Sequence, residues 1–259
     1  EWQITGEADS IRKSFSETVI CPLPLQKAYI VFYSRDSIGK LISRFRYNFN
    51  PADYFITTER NREYPAFESL ISGPAEECVD IVILPDGYTN SDMGLFIEDC
   101  KEFANVLFNF EPYKTYRDKF NIRGVWAPSP DSGSDLPADS VWKKTILNTT
   151  FYTFDSERYC MTYDNKSVRD LAANVPYDQI YILVNTNKYG GGAIYNHYSV
   201  SVNSNEQAAK IFVHEFGHGF AGLGDEYYNS SVAYSEFYPL HIEPWETNLT
   251  TLVEFDRKW

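Results

Sequence analysis

The chain has 259 residues, of which 43% are hydrophobic and 17% aromatic, enough for one large domain or two of ordinary size. Its formal net charge of −13 argues against nucleic-acid binding and against docking on an anionic membrane surface, which both favour basic proteins. No run of about 18 apolar residues occurs, so the sequence predicts no transmembrane segment.

The N-terminal part is predicted to be rich in β-strands. Residues 28–33 form an apolar run and residues 41–49 alternate between two faces, which indicates two strands joined as a hairpin. We therefore expect residues 1–74 to form a small β-rich, sandwich-like domain. Prolines and glycines in 50–74 predict a linker, so the second domain would span residues 75–259.

The second region alternates strands with helices. Strands are predicted over 78–84, 121–127 and 179–184. Helices are predicted from Ser91 or Asp92 to about 108, over 111–120, and over 167–173 with Ser167 as the cap. This alternation predicts an α/β domain with a largely parallel sheet. The loop 128–139 carries three aspartates, whose spacing fits no familiar calcium loop and favours a solvated loop.

The four cysteines are widely scattered and match no zinc ribbon or CxxC motif. Their positions are Cys21, Cys78, Cys100 and Cys160. This spacing leaves buried free thiols and a single disulfide open as alternatives, and it fixes no redox compartment. The chain begins at Glu1 without a methionine or a signal sequence, which is typical of a mature or trimmed form.

A glycine run, Gly190–Gly192, precedes an alternating segment that extends to Val202. We predict a strand here, and its glycines would either let a peptide approach closely or form a flexible turn. No GxxxxGK[ST] or GxGxxG motif follows a strand, which disfavours a nucleotide site. His197 is interpreted as a polar surface histidine rather than a metal ligand.

The most informative stretch is His214-Glu-Phe-Gly-His218, within a helix predicted over 206–218. In a helix the two histidines lie one turn apart on one face, about 6 Å between Cβ atoms. Two imidazoles at this spacing can bind one zinc ion, and Glu215 can accept a proton from a water molecule that zinc activates. The alternative is a core helix with two hydrogen-bonded histidines, but a buried glutamate beside them would then be costly.

Two glycines follow this motif. Gly222 and Gly224 are expected to end the helix, because glycine readily takes the left-handed conformation at a helix C-terminus. The chain can then turn back under the metal, and the residues themselves leave Asp225 and Glu226 open as the third ligand.

The string HEFGHGFAGLGDEY and the upstream segment VDIVILPDGYT resemble the bacterial IgA-peptidase family of zinc metallopeptidases. The resemblance covers roughly residues 75–240. The motif is also similar to the metzincin pattern HExxHxxGxxH, with Asp as the last ligand and one extra residue after His218. It implies an α/β (α+β) zincin-like domain with a mixed sheet, an active-site helix and an antiparallel edge strand near 191–196.

The resemblance also implies roles for individual residues. His214, His218 and Asp225 would bind Zn²⁺, with Asp225 favoured over Glu226, and Glu215 would be the catalytic base. The edge strand would bind an extended substrate, and its candidate binding residues are Gly191, Gly192, Ala193 and Tyr195.

The implied function is a zinc-dependent endopeptidase, secreted, periplasmic or attached to the bacterial cell surface. Its protein substrates would include immunoglobulin A or an unspecified host or dietary protein. The alternative is a non-catalytic surface module that binds protein or glycan on a zincin scaffold.

Metzincins carry a methionine after the third ligand, whereas Met93 and Met161 both precede it, so we expect the catalytic domain to continue beyond Trp259. The sequence indicates no oligomeric state.

Overall fold

A computed structural model describes residues 21–56, 63–226 and 239–258. The strands are β1 (Ala28–Arg35), β2 (Leu41–Phe49), β3 (Ala66–Leu70), β4 (Val79–Asp86), β5 (Phe120–Val125), β6 (Gln179–Val184), β7 (Gly191–Ile194) and β8 (Tyr198–Val202). The helices are α1 (Met93–Leu107), α2 (Asn165–Ala172), α3 (Ala208–Ala221) and α4 (Phe255–Lys258).

The core of the molecule is a six-stranded sheet in the order β3-β5-β4-β6-β8-β7. The four inner strands run parallel, and β3 and β7 pair antiparallel at the two edges. Strands β4 and β6 are nearly continuous apolar runs because both of their faces are buried. The predicted α/β class with a mixed, largely parallel sheet is confirmed.

Helices cover both faces of this sheet. Side chains alternate along each strand, so Ile81 and Ile83 of β4 enter one core and Val82 enters the other. The first core also contains apolar residues of α1 and α3, and the second contains those of α2. The three layers place α3 against the β7–β8 edge.

The predicted N-terminal hairpin is present. Strands β1 and β2 form a separate two-stranded antiparallel sheet, with a turn at Asp36–Gly39. Within residues 21–56 no further strand forms, so a sandwich remains a prediction. The division into two domains also remains a prediction, and we expect its boundary before Ala66, because β3 pairs with β5.

Two predicted helices differ from the structure. Residues 111–120 form turns and a short 3-10 helix, Arg117–Lys119, because a segment this short gains too few helical bonds to offset nucleation. Helix α2 is capped by Asp164, whose carboxylate accepts a bond from the Ser167 N–H at 3.0 Å. Ser167 is thus the third residue of that helix, because a carboxylate is available at a better capping position.

The structure shows the state of the four cysteines. All four cysteines are free thiols, and Cys100 and Cys160 are buried.

Among the described residues, no helix combines the length and apolar character needed to cross a membrane.

Close packing of α3 on the sheet gives a stability prediction. A Cβ atom added at Gly219 would lie 2.1 Å from Ser199 Oγ and 2.9 Å from Gln179 Nε2, so Gly219→Ala must push the helix away from β6 and β8. We expect this overpacking to cost about 1–3 kcal/mol in the free energy of unfolding, measured by urea denaturation. Gly217→Ala is the matched control, since its nearest contact would be an ordinary 3.6 Å. An equal effect of both substitutions would contradict the packing argument.

Candidate metal centre

Hydrogen bonds from side chains of the sheet to backbone carbonyls of helix α3 fix the helix to the sheet. Ser199 Oγ of β8 donates to the carbonyl of Glu215 at 2.9 Å, and Tyr181 Oη of β6 donates to the carbonyl of Phe212 at 3.1 Å. Because these bonds hold the turn that carries Glu215, they set the direction in which the motif side chains leave the helix.

The helix ends as the sequence predicts. Gly222 caps it in the left-handed conformation with φ of 64°, which a residue with a Cβ atom rarely adopts. The reversal brings Asp225 back beside the two histidines of α3. The turn therefore completes a cluster that α3 alone could not form.

Three donor atoms in this cluster form a nearly equilateral triangle. His214 Nε2 and His218 Nε2 lie 3.0 Å apart, and Asp225 Oδ1 lies 3.2 Å from the first and 3.1 Å from the second. Neighbouring ligands of a tetrahedral zinc ion with bonds of 2.0–2.1 Å are separated by about 3.3 Å. The side chains present therefore fit a zinc ion closely.

Hydrogen bonding also prepares His218 for a metal. Its Nδ1 lies against the carbonyl of Leu223, which can only accept, so Nδ1 carries a proton in either charge state and Nε2 is the atom that can bind a metal once it loses its own proton. The Leu223 carbonyl lies just after α3, in the same chain reversal that brings Asp225 beside the two histidines.

Asn248 holds the segment that carries Asp225. Its side-chain amide makes two bonds with the backbone of Gly224, at 2.8 and 2.9 Å. The same amide donates to Glu226 Oε1 at 2.7 Å. Glu226 is thereby directed to Asn248, whereas Asp225 faces the two histidines.

The side chains of the cluster shift one another's pKa values. Burial raises the pKa of Glu215 to about 7, although the nearby His214, His218 and Arg158 oppose that change. Burial lowers the pKa of His218, but bonds to Asp225 and Leu223 and the charge of Glu215 outweigh it and raise the pKa to about 9. Asp225 loses solvation too, yet bonds from both histidines hold its pKa well below the usual range. A metal ion bound at Nε2 would take the place of a proton on His218.

The cluster opens into a cavity of about 970 Å³. Gly191, Ala193 and Tyr195 line it, together with the motif side chains of α3. Gly192 does not line it, because a Cβ atom at that position would meet the sulfur of Met161 on the other face. Of the four predicted substrate-binding residues, three border the cavity.

The predicted strand 191–202 is in fact a hairpin. Strand β7 pairs antiparallel with β8 at the edge of the sheet, and the turn between them includes Asn196 with φ of 53°. On the outer side of β7, the N–H of Gly191 donates to Arg158 O and its carbonyl accepts from Cys160 N–H, both at 3.1 Å. The edge is thus already covered at Gly191 by residues 158–160.

The interpretation of His197 as a surface histidine is wrong. The residue is 3% exposed and contacts α2, where its Nδ1 accepts a bond from Arg169. Its Nε2 donates to Asn165 Oδ1 at 2.8 Å, so the ring is neutral. His197 occupies a polar position in the alternating strand pattern, and that pattern could not show that the β7–β8 turn packs on α2. His197 is absent from the donor cluster formed by the described residues.

His197 predicts a pH dependence of stability. Burial and the adjacent Arg169 charge lower its pKa to about 4, whereas the unfolded chain takes up the proton near pH 6.5. Between these values the unfolded state binds more protons, so the free energy of unfolding falls as pH falls, by up to about 3 kcal/mol. His197→Gln should flatten this dependence in urea titrations from pH 7 to pH 4.5. An unchanged slope in the variant would contradict the assignment.

Sequence reasoning missed several residues of this region. Asn248 and Ser199 act through hydrogen bonds across long sequence separations, and Trp245 packs on Tyr195 with ring centroids 5.3 Å apart. Arg158 and Lys210 line the cavity. Only Lys210 had a readable signal, because it lies four residues before His214 on the same helix.

Comparison with known proteins places the cluster in a family. A search of curated proteins finds no match. A family model described as IgA Peptidase M64 matches residues 68–259, which include the whole six-stranded sheet apart from the first residues of β3, and all three donor residues. Because the match extends over most of the chain, the protein belongs to the IgA Peptidase M64 family of metallopeptidases.

Proposed function

We propose that the chain is a zinc-dependent endopeptidase. In this proposal His214, His218 and Asp225 bind the zinc ion, and Glu215 is the general base. The observation that carries it is the triangle of three donor atoms with sides of 3.0–3.2 Å, which borders a cavity large enough for a peptide. Membership of a metallopeptidase family supports the same chemistry.

When bound, zinc would polarise the scissile carbonyl and activate a water molecule. Glu215 accepts a proton from that water as its oxygen attacks the carbonyl carbon. When the carbon–nitrogen bond breaks, Glu215 returns the proton to the departing amine. The position of Glu215 supports this role, since it follows the first histidine on α3, lines the cavity and lies beside Gly191.

Substrate would lie along β7. In an antiparallel edge strand, every second residue directs its backbone N–H and C=O away from the sheet. Gly191 is such a residue, and the next one along β7 is Ala193. We propose that the Ala193 backbone pairs with an extended peptide, as in strand addition. Gly191 keeps this strand close to the helix, because a Cβ there would lie 3.3 Å from Glu215 Cγ and 2.7 Å from Val200 O.

Tyr195 and Trp245 supply an apolar wall at the end of this strand. Both line the cavity, and their rings pack with an interplanar angle of 31°. A substrate side chain would gain contact area there without disturbing the charged cluster.

We propose protein substrates, with immunoglobulin A as one candidate, and a secreted, periplasmic or surface-attached location.

The proposal is tested by incubating the purified chain, with one equivalent of zinc, with a peptide library derived from a proteome. Cleavage sites are read by mass spectrometry. We expect internal cleavage that a chelator abolishes and added zinc restores. Immunoglobulin A and casein are then compared as intact substrates. An absence of cleavage with stoichiometric zinc bound would refute the proposed activity.

A further inference from the structure

Charge is unevenly distributed around the cavity. Arg158 and Lys210 line the part next to Gly191, whereas Glu226 and Glu246 line the wall formed by the chain after α3. The whole protein carries a formal net charge of −13, so two cations in one part of the cleft stand out against an acidic background. A substrate in the cavity would therefore meet these two side chains as local positive charges.

Arg158 adjoins the outer edge of β7. Its carbonyl accepts a hydrogen bond from the Gly191 N–H at 3.1 Å, which places the residue beside the strand. The guanidinium lies 5.0 Å from the ring centre of Tyr159 and donates to its hydroxyl at 3.2 Å. The side chain is half-buried and lines the cavity.

Lys210 lines the same cavity from the helix. It lies one turn before His214, so both side chains share a face of α3. Its neighbour Ile211 touches the strand, since a Cβ at Gly191 would lie 2.9 Å from Ile211 Cγ2. Lys210 is exposed and takes part in none of the ion pairs formed among the described residues.

Building on the proposed peptidase function, we propose that Arg158 and Lys210 form a carboxylate-binding subsite in the substrate cleft. A guanidinium can bind a carboxylate through two parallel bonds, and an ammonium adds a point charge. The subsite selects peptides with a carboxylate at a fixed distance from the scissile bond. That group is either an Asp or Glu side chain or the C-terminus of the peptide.

Matched peptides test the side-chain source. Peptides found in the library are resynthesised with Asn or Gln in place of Asp or Glu, and kcat/KM is compared. We expect about a tenfold or greater preference for the acidic peptide, the scale of one well-placed charge pair. Lys210→Glu should abolish or reverse that preference. Lys101→Glu, the same charge change on an exposed residue of α1, should leave it intact.

A second pair of peptides tests the other source. The same sequence is offered with a free C-terminus and with a C-terminal amide. If amidation removes the preference and Asp→Asn does not, the subsite binds the end of the chain. If only Asp→Asn removes it, the subsite binds a side chain.

Binding separates the subsite from the activity. Anisotropy of labelled peptides on zinc-loaded Glu215→Gln protein should show the same preference, again lost in the double variant with Lys210→Glu. Cleavage that depends neither on an acidic side chain nor on a free C-terminus would overturn the subsite and leave the peptidase intact. Preferential binding without cleavage by the unsubstituted chain would overturn the peptidase and leave the subsite. Equal binding within both pairs, the acidic peptide against its Asn or Gln version and the free C-terminus against the amide, would overturn the subsite whatever the activity.

Discussion

Replacing Glu215 with glutamine is expected to lower kcat/KM for peptide hydrolysis by at least about 100-fold, the usual scale for loss of a general base. Glutamine is nearly isosteric, but it cannot accept a proton from the attacking water. Zinc content should not change, because Glu215 lies outside the donor triangle of His214, His218 and Asp225. Rates on a library-derived peptide and zinc by mass spectrometry are measured on the same preparation.

Glu206→Gln is the matched control, since it makes the same chemical change on an exposed residue just before α3. We expect its activity to stay within about twofold of the unsubstituted chain, as for most surface changes away from a site. Hydrolysis by Glu215→Gln at the unsubstituted rate would remove Glu215 from the mechanism. Loss of zinc in that variant would instead show a role in the structure of the site.

Replacing Asp225 with alanine is expected to remove most of the bound zinc. Its Oδ1 lies 3.1–3.2 Å from both histidine Nε2 atoms, so the substitution deletes one corner of the triangle. The zinc dissociation constant should rise by more than the ~10–100-fold typical of residues that only orient a ligand. Competition with a chromophoric chelator measures this constant.

Glu226→Ala is the control for Asp225→Ala, because the adjacent carboxylate is bonded to Asn248 rather than to the histidines. It should largely retain zinc, with a change no larger than that of an orienting residue. Loss of zinc in Glu226→Ala alone would reverse the assignment. Glu226 would then be the ligand, and Asp225 would orient His214 or His218.

Local patterns predicted the elements whose formation depends on their own sequence. The apolar runs of β4 and β6 required burial on both faces, and the HExxH spacing required one helical face. Gly222 predicted the reversal because few other residues adopt positive φ. These features account for the sheet and for the two histidines of the site.

Contacts between distant segments had no such local signal. The polar pattern around His197 could not show that its turn packs on Arg169 of α2. The segment 141–150 depends on a distant contact of the same kind, since the buried Asp86 accepts bonds from Thr145, Leu147 and Thr149. Burial raises the pKa of Asp86, and these bonds oppose that change.

The choice between Asp225 and Glu226 depends on a similar distant contact. Both carboxylates follow the same reversal, and only the bond from Asn248, more than twenty residues later, draws Glu226 aside. A one-residue difference in a loop moves a carboxylate across the site, so motif spacing alone left both open. The third member of the donor cluster was therefore the least predictable part of the candidate centre.

Zinc K-edge X-ray absorption on the purified chain, loaded with one equivalent of zinc, tests most directly whether His214, His218 and Asp225 hold the metal. We expect only nitrogen and oxygen neighbours at about 2.0–2.1 Å, with outer-shell scattering from two imidazoles. A sulfur neighbour at about 2.3 Å would place zinc on the free cysteines and contradict this ligand assignment. A spectrum without imidazole scattering would contradict it equally.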